Sequence, residues 1–159
     1  DPAVGAGRDL DDLRGVRGEM LILRTREIAL TRPVRLLHPR HPIYIVPRAD
    51  HHFMVGATMI ETDNDGPVTA RSLMELLNTA YALHPAFGEA EITEMGAALR
   101  PAYRDNFPRV SSCGATITVN GFHRHGFLLA PAMARRAADL VFNSDMESDN
   151  EIDRQRRSA

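Results

Sequence analysis

The fold is decided by the stretch Ile43–Thr58, which reads IYIVPRADHHFMVGAT. It contains two β-rich runs, IYIVPR and HHFMVGAT, and the separation of the runs by Ala49–Asp50 predicts an antiparallel hairpin. The first run is apolar on both faces, which is typical of a central strand. We therefore expect Tyr44 to lie inside or at the rim of a cleft rather than in open solvent.

The segments on either side of this hairpin predict more strands and one helix. Gly18–Leu30 (GEMLILRTREIAL) is rich in β-forming residues and predicts a strand pair or one long strand. Thr69 is a predicted N-cap. The helix after it is expected to end near His84–Pro85, and Glu91–Pro101 (EITEMGAALRP) is predicted to be a strand. The apolar residues at helical spacing are Leu73, Leu76, Leu77 and Ala80.

The C-terminal third predicts a strand that turns directly into a long helix. Ala102–Gly114 has the composition of a loop, and Ala115–Gly121 (ATITVNG) is a short β-branched strand. Because proline is tolerated in the first turn of a helix, Pro131 predicts a helix start at about Leu128–Ala130. The charged tail from Asn143 is expected to be frayed helix or disorder. The apolar stripe of this helix consists of Ala130, Met133, Ala134, Ala137, Ala138 and Val141.

These segments predict a chain that contains both strands and helices. With 159 residues and 43% hydrophobic content, the chain can bury a real core. A net charge of −2 and the absence of Trp argue against a nucleic-acid partner. The single Cys113 cannot form an internal disulfide, and no apolar run approaches the ~20 residues of a membrane span. We expect a soluble cytoplasmic protein.

Independently of any family resemblance, two parts of the sequence could bind a ligand. The turn into the final helix would offer backbone N–H groups and a positive dipole end to a negatively polarised atom, although an ordinary strand-to-helix turn has the same pattern. Arg100, at a predicted strand end, and Arg124, in the turn into the final helix, both lie outside runs of Asp, Glu, Lys and Arg, as arginines that bind carboxylates often do. An exposed or ion-paired arginine is the alternative in both cases.

Other chemistry is not indicated. Gly5 and Gly7 do not form a dinucleotide fingerprint, because Leu10 stands where the third glycine should be. His123 and His125 could share one face, but no framework of three or four ligands accompanies them, and we predict no metal site. No nucleophile or carboxylate pair has a defining spacing. The protein is expected to orient its ligands rather than to supply an acid, a base or a nucleophile.

Four stretches of the chain stand in an order that carries a family resemblance. They are RGVRGEML (Arg14–Leu21), YIVPR with VGATM (Tyr44–Met59), ALRP (Ala98–Pro101) and GFHRHGFLLAPAMARRAADLVF (Gly121–Phe142). Together they resemble the landmarks of the C-terminal part of the D-amino-acid oxidase superfamily, in particular the glycine oxidases of thiamine (thiazole) biosynthesis. The resemblance covers nearly all of residues 14–142.

This resemblance implies an FAD-dependent oxidoreductase. Such an enzyme removes hydride from the α-carbon of glycine, a small D-amino acid or an N-methyl amine, and passes the electrons to molecular oxygen. The cofactor performs the difficult step and the protein positions it, which agrees with the missing acid, base and nucleophile. The alternatives are a D-amino-acid dehydrogenase, a sarcosine-oxidase-like enzyme, or a non-catalytic, self-associating interaction domain.

The resemblance also implies roles for single residues. Arg100 would bind the carboxylate of a small amino-acid substrate, and Tyr44 would hydrogen-bond the same carboxylate. Met59 would line the substrate pocket, and Arg124 would lie near both substrate and flavin. The turn that would face the flavin ring consists of His123, Arg124, His125, Gly126, Phe127 and Leu128.

The fold class that the resemblance implies is α+β, with a mixed, largely antiparallel sheet, flanking helices and a C-terminal strand and helix. The domain division is likewise implied by the resemblance. Residues 1–13 would be a lead-in from an FAD-binding part, residues 14–99 the substrate-binding domain, residues 100–142 the C-terminal segment of the FAD-binding domain, and residues 143–159 a charged tail. In this superfamily the Gly-rich segment for the ADP half of FAD lies further towards the N-terminus. We therefore expect an incomplete FAD site and no activity in this chain alone, and a homo-oligomer as the assembled form.

The chain departs from the family pattern at several positions. Gly96 stands where the family commonly has Trp, and His125 stands where Asn is usual. Pro42 occupies a place where relatives can carry a polar pocket residue. These differences leave the size of the substrate open.

Overall fold

A computed structural model describes the backbone of residues 12–157 and the side chains of residues 12–142. Its elements are β1 (Arg14–Arg24), β2 (Val34–Leu36), β3 (Ile43–Pro47), β4 (His52–Gly56), β5 (Ile60–Glu61), α1 (Ala70–Leu83), a 3-10 helix (Pro85–Glu89), β6 (Glu91–Ala102), β7 (Arg109–Cys113), β8 (Thr116–Asn120) and α2 (Gly126–Arg157).

These elements form two units. The sheet unit is Gly15–Arg100, and the hairpin–helix unit combines Asp1–Arg14 with Pro101–Ala159. The predicted α+β class is confirmed. The assignment of the units to a substrate domain and a flavin domain stays a prediction, and its N-terminal lead-in lies mostly outside the described residues.

The sheet unit is built on a six-stranded sheet in the order β2-β3-β4-β1-β5, with β6 also pairing with β1. The predicted hairpin is confirmed, because Ile45 pairs with Val55 in an antiparallel register between β3 and β4. β3 lies between two neighbours, as expected for a strand that is apolar on both faces. The connecting turn is longer than predicted, and Asp50 and His51 adopt positive φ angles of 55° and 62° within it.

One face of this sheet carries the core of the unit. Strand side chains alternate between the two faces, and the register places Leu21, Val55 and Ile45 in one fully buried row across β1, β4 and β3. The helical layer closes over this row with Leu76 of α1 and Phe87 of the 3-10 helix. On the opposite face, Met20 is half-buried and Tyr44 is exposed.

The start of α1 is the predicted one. The Thr69 hydroxyl accepts a hydrogen bond from the backbone N–H of Ser72 at 3.3 Å, which satisfies one of the unpaired donors of the first turn. The helix ends at Leu83, and His84–Pro85 follows it as expected.

The hairpin–helix unit is organised around Tyr103, which is 1% exposed. The guanidinium carbon of Arg109 lies 4.1 Å from the centroid of the Tyr103 ring, which is a cation–π contact. Arg14 donates hydrogen bonds to the carbonyl of Tyr103 and to the side-chain oxygen of Asn106. Strands β7 and β8 pair in antiparallel register, with Val110 opposite Val119.

Two predictions for this unit are wrong. The predicted loop Ala102–Gly114 contains β7, because cross-strand hydrogen bonds to β8 override a composition rich in Pro, Asn and Ser. The final helix begins at Gly126, so that Pro131 lies beyond its first turn. Pro131 cannot donate to the carbonyl of Phe127, but Phe127 is fully exposed, and water can reach this end of the helix.

The remaining differences concern element ends. β1 runs from Arg14 to Arg24, so the predicted strand Gly18–Leu30 starts too late and extends too far. The short strands β2 and β5 were not predicted. Of the alternatives for the tail, the backbone of α2 is helical up to Arg157, and the side chains from Asn143 onward lie outside the described ones. Within the described residues, no helix is long and apolar enough to cross a membrane.

Candidate functional site

Tyr44 lies on the face of the sheet opposite the hydrophobic core. Residues directly opposite each other in an antiparallel pair point to the same face. Met20 on β1 is opposite Gly56 on β4, and Gly56 is opposite Tyr44 on β3. Leu21 is buried on the core side, so Met20, Gly56 and Tyr44 form one row on the face turned away from the core.

Tyr44 is partly covered on this face. Its side chain is 43% exposed, and the guanidinium carbon of Arg35, its partner on β2, lies 5.2 Å from the ring centroid. This cross-strand cation–π contact holds the ring at the surface of the sheet. The expected cleft around Tyr44 stays a prediction.

Arg100 lies on the same face. Its guanidinium rests against Gly18, which is two residues from Met20 along β1 and therefore shares its face. Arg100 Nη1 donates a hydrogen bond to the carbonyl oxygen of Thr58 at 3.2 Å. The two residues expected to bind a carboxylate, Arg100 and Tyr44, are thus on one surface of the sheet unit.

The Thr58 carbonyl is held in a fixed position. The Thr58 N–H donates to the carbonyl of Glu19 at 3.2 Å, and the Glu19 N–H donates to Thr58 Oγ1 at 2.9 Å. Thr58 is buried, whereas the next residue, Met59, has 53% of its side chain exposed. Met59 is therefore adjacent in sequence to the group that orients Arg100.

The turn after β8 belongs to the hairpin–helix unit. Gly121 has a φ of 80°, and a Cβ at this position would come well within 3.0 Å of the Tyr103 ring. Its N–H donates to Asn120 Oδ1 at 2.7 Å. The His123 N–H donates to the carbonyl of Pro101 at 2.9 Å, which ties the turn to the end of β6. The backbone of the turn is thus fixed before the helix begins.

The first turn of α2 is exposed. The Leu129 N–H donates to the carbonyl of His125 at 2.9 Å, so the N–H groups of Gly126–Leu128 precede the first hydrogen bond of the helix and have no intrahelical acceptor. The side chains of Phe127 and Leu128 are exposed. Arg124 Nε donates to His125 Nε2 at 3.2 Å. This arrangement presents backbone donors and the positive end of the helix dipole.

Most of the sequence matches the model of one protein family. Residues 3–140 match the FAD dependent oxidoreductase family. The chain belongs to the FAD-dependent oxidoreductase family. The family resemblance of the sequence is thereby confirmed.

Curated relatives and solved structures agree with this family. A Rhizobium etli protein named as the thiamine biosynthesis oxidoreductase ThiO is 71% identical over 129 residues, which are 81% of this chain and 39% of that protein. The glycine oxidase of Bacillus subtilis is 31% identical over 137 residues, 84% of this chain and 36% of the relative. The glycine oxidase structure from Geobacillus kaustophilus superposes with a TM-score of 0.74 at 28% identity, covering 87% of this chain and 38% of its own. The chain thus spans less than two fifths of the length of these relatives.

The predicted site residues of this FAD-dependent oxidoreductase family member divide between the two units. Tyr44, Met59 and Arg100 lie in the sheet unit, and the turn His123–Leu128, which includes Arg124, lies in the hairpin–helix unit. Their roles are not tested by the fold and stay proposals. Among the described residues, no group of three His, Cys, Asp or Glu side chains could hold a metal ion.

Two residues around Arg100 were missed by sequence reasoning. Gly18 and Thr58 contact its guanidinium, although each is more than 40 positions away in the chain. The available signal was the motif RGVRGEML, in which Gly18 stands between Arg17 and Glu19. A glycine inside a strand often marks a close approach of another group, and this one does.

Proposed function

We propose that this chain supplies the substrate-carboxylate site and the flavin-facing turn of an FAD-dependent oxidase. The substrate would be glycine or another small amine that carries a carboxylate, and the reaction would serve thiamine biosynthesis. The observation that carries this proposal is the position of Arg100 beside Gly18, on the same face of the sheet as Tyr44. The names of the Rhizobium etli and Bacillus subtilis relatives support the substrate class and the pathway.

Arg100 would bind the substrate carboxylate. A guanidinium donates parallel hydrogen bonds in one plane, which matches the two oxygens of a carboxylate. The hydrogen bond from Nη1 to Thr58 and the flat contact with Gly18 define the plane of the group. Tyr44 would add an O–H donor from the same face, and both contacts would fix the α-carbon of the substrate.

The turn at the start of α2 fits the flavin ring of FAD, which gains negative charge when it is reduced. Its backbone N–H groups at Gly126–Leu128 point out of an exposed first turn, and the guanidinium of Arg124 adds positive charge beside them. When bound, FAD accepts the hydride from the substrate α-carbon and passes the electrons to molecular oxygen. The helix dipole and Arg124 would stabilise negative charge on the ring.

The remaining side chains would shape the site rather than react. Met59 would line the substrate pocket and exclude both water and larger side chains from it. The substrate amine is oxidised to an imine, which would be released and hydrolysed in water or consumed in thiazole synthesis. Orientation and exclusion of water are the contributions expected of a protein whose cofactor performs the chemistry.

An absorbance and oxidase assay with added FAD tests this proposal. The chain alone is compared with an extended protein, in which an N-terminal Gly-x-Gly-x-x-Gly segment precedes the same chain, with glycine, sarcosine and D-alanine as substrates. We expect only the extended protein, and not the 159-residue chain, to turn yellow and to form peroxide, with glycine as a good substrate. A preference for sarcosine would indicate a sarcosine-oxidase-like enzyme, and turnover with an artificial acceptor but not with oxygen would indicate a dehydrogenase. Absence of flavin binding in both proteins would contradict the proposal and favour an interaction domain.

A further inference from the structure

Gly18 lies directly beneath the guanidinium of Arg100. A Cβ built on Gly18 would come well within 3.0 Å of Cζ, Nη1 and Nη2 of Arg100, a separation that real Cβ atoms essentially never show. All three guanidinium atoms lie close to the position that this Cβ would take, so a side chain at position 18 and the guanidinium cannot occupy the same space. Any residue larger than glycine must displace Arg100.

We propose that Gly18 is a positioning residue for Arg100, and through it for the carboxylate of the substrate. This inference rests on the proposed function of Arg100. The absence of a side chain at Gly18 lets the guanidinium lie on the backbone of β1, where its orientation is set from below by the strand. Gly18 does not touch the substrate, and its effect is exerted through Arg100 alone.

Arg100 is held at this place from a second direction. Its Nη1 donates to the Thr58 carbonyl at 3.2 Å, and Thr58 is in turn joined to Glu19 by two hydrogen bonds. The two contacts come from neighbouring positions of β1, because Gly18 supplies the surface and Glu19 anchors Thr58. A displaced guanidinium would lose the Thr58 hydrogen bond together with its contact to the strand.

The three heavy atoms nearest to a Cβ on Gly18 all belong to the side chain of Arg100. Gly18 lies inside β1 and does not have the left-handed backbone conformation that disfavours other residues. Its neighbours Arg17 and Glu19 are buried on the core side of the strand, away from the face of Gly18. Gly18→Ala is therefore expected to move Arg100 while leaving the backbone and the core in place.

The neighbouring strand offers a matched control. A Cβ on Gly96 of β6 would lie 3.6 Å from Cγ of Met20, which is ordinary van der Waals contact. Gly96→Ala makes the same chemical change in the same sheet without touching Arg100. A general effect of alanine in a strand would appear in both variants, whereas a positioning effect appears at Gly18 alone.

The test uses the extended protein with FAD, glycine as substrate and acetate as a competitive inhibitor. We expect Gly18→Ala to raise the KM for glycine and the inhibition constant for acetate at least tenfold, with a smaller effect on kcat and unchanged flavin absorbance. Arg40→Gln, at an exposed arginine of the same unit, should leave these constants within about twofold of the parent. A Gly18→Ala variant with the parent KM and acetate inhibition constant would overturn the proposal.

A second readout does not depend on turnover. In the 159-residue chain labelled with 15N-arginine, the Nε–H signal of Arg100, identified by its loss in Arg100→Gln, should shift in Gly18→Ala and stay in place in Gly96→Ala. If Gly18→Ala folds poorly, the double variant with Arg100→Gln should be as stable as Arg100→Gln alone, because the overlapping group is gone. The proposal would be contradicted if Gly18→Ala lowered the stability of the Arg100→Gln variant as much as it lowers that of the parent chain.

The two hypotheses fail in different ways. If Arg100→Gln leaves the KM for glycine unchanged, the carboxylate role of Arg100 is wrong, and the Arg100 signal can still report the contact with Gly18. If Arg100→Gln raises the KM and Gly18→Ala does not, the role of Arg100 holds and the positioning role of Gly18 is wrong.

Discussion

Arg17 and Glu19 form a buried ion pair on β1, in which Glu19 Oε1 accepts hydrogen bonds from Nε at 2.8 Å and from Nη2 at 2.7 Å of Arg17. The side chains are 3% and 0% exposed. Arg17 also donates to the carbonyls of Asn64, Gly66 and Pro67 at 2.6–2.8 Å. The pair therefore joins the strand beneath Arg100 to the loop that precedes α1.

The charge of Glu19 is stabilised by its surroundings. Burial acts to raise the pKa of this carboxyl, but hydrogen bonds from Ser72, Arg17 and Thr69 outweigh it, and the pKa lies below the ordinary value of 4.5. A carboxyl with a lowered pKa in the folded state stabilises the fold above its ordinary pKa. This contribution is lost as the pH falls below 4.5 and through the lowered pKa.

Glu19→Gln is expected to lower the free energy of unfolding at pH 7 by about 3 kcal/mol, because it leaves the charge of Arg17 buried and unpaired. Urea denaturation at pH 7 measures this loss. The stability of the parent chain should fall more steeply below pH 4.5 than that of the variant. As a control, Glu27→Gln, at an exposed carboxyl of the same unit, should change the free energy of unfolding by less than about 0.5 kcal/mol. If the free energy of unfolding depended on pH in the same way in the parent chain and in Glu19→Gln, ionised Glu19 would not be the group that stabilises the fold.

Thr69→Ala is expected to destabilise the chain by about 1 kcal/mol, because Thr69 caps α1 through the N–H of Ser72. Thr79→Ala is the matched control in the same helix. Thr79 Oγ1 donates back to the carbonyl of Glu75 at 2.6 Å, a bond that gives the helix little stability, and alanine is the better helix former. Thermal unfolding of both variants measures the difference, and equal midpoints would count against the cap.

Gly121→Ala is expected to destabilise the hairpin–helix unit by more than about 1 kcal/mol. The φ of 80° is costly for a residue with a Cβ, and the added methyl group would overlap the buried ring of Tyr103. Gly126→Ala serves as the control, since its Cβ would meet Phe122 at 3.6 Å in ordinary contact. Amide hydrogen exchange of β8 reports the local stability, and unchanged protection in Gly121→Ala would refute the strain at this turn.

The hairpin and the first helix were predicted correctly, because neighbouring residues in the sequence determine both. The hairpin around Ala49–Asp50 followed from two β-rich runs at a short spacing. The helix after Thr69 followed from its cap and from apolar residues at helical spacing, and both are present. The family resemblance added the fold class, which periodicity alone could not have specified.

The remaining features depend on contacts between distant parts of the chain. β7 exists because it pairs with β8, although its own composition favours a loop. The start of α2 is set by the carbonyl of His125 rather than by the position of Pro131. The contact between Gly18 and Arg100 joins residues on β1 and β6, and it depends on the pairing of those two strands, which no local pattern in the sequence specifies.

The most direct test of the proposed function is the steady-state kinetics of glycine oxidation by the extended protein with Arg100→Gln. Hydrogen bonds to a charged group contribute about 1.5–3 kcal/mol, so we expect the KM for glycine to rise about tenfold to a hundredfold. Arg40→Gln, at an exposed arginine of the same unit, is the control and should leave the KM unchanged. A raised KM in Arg100→Gln with normal flavin absorbance would support Arg100 as the carboxylate-binding residue, and an unchanged KM would contradict it.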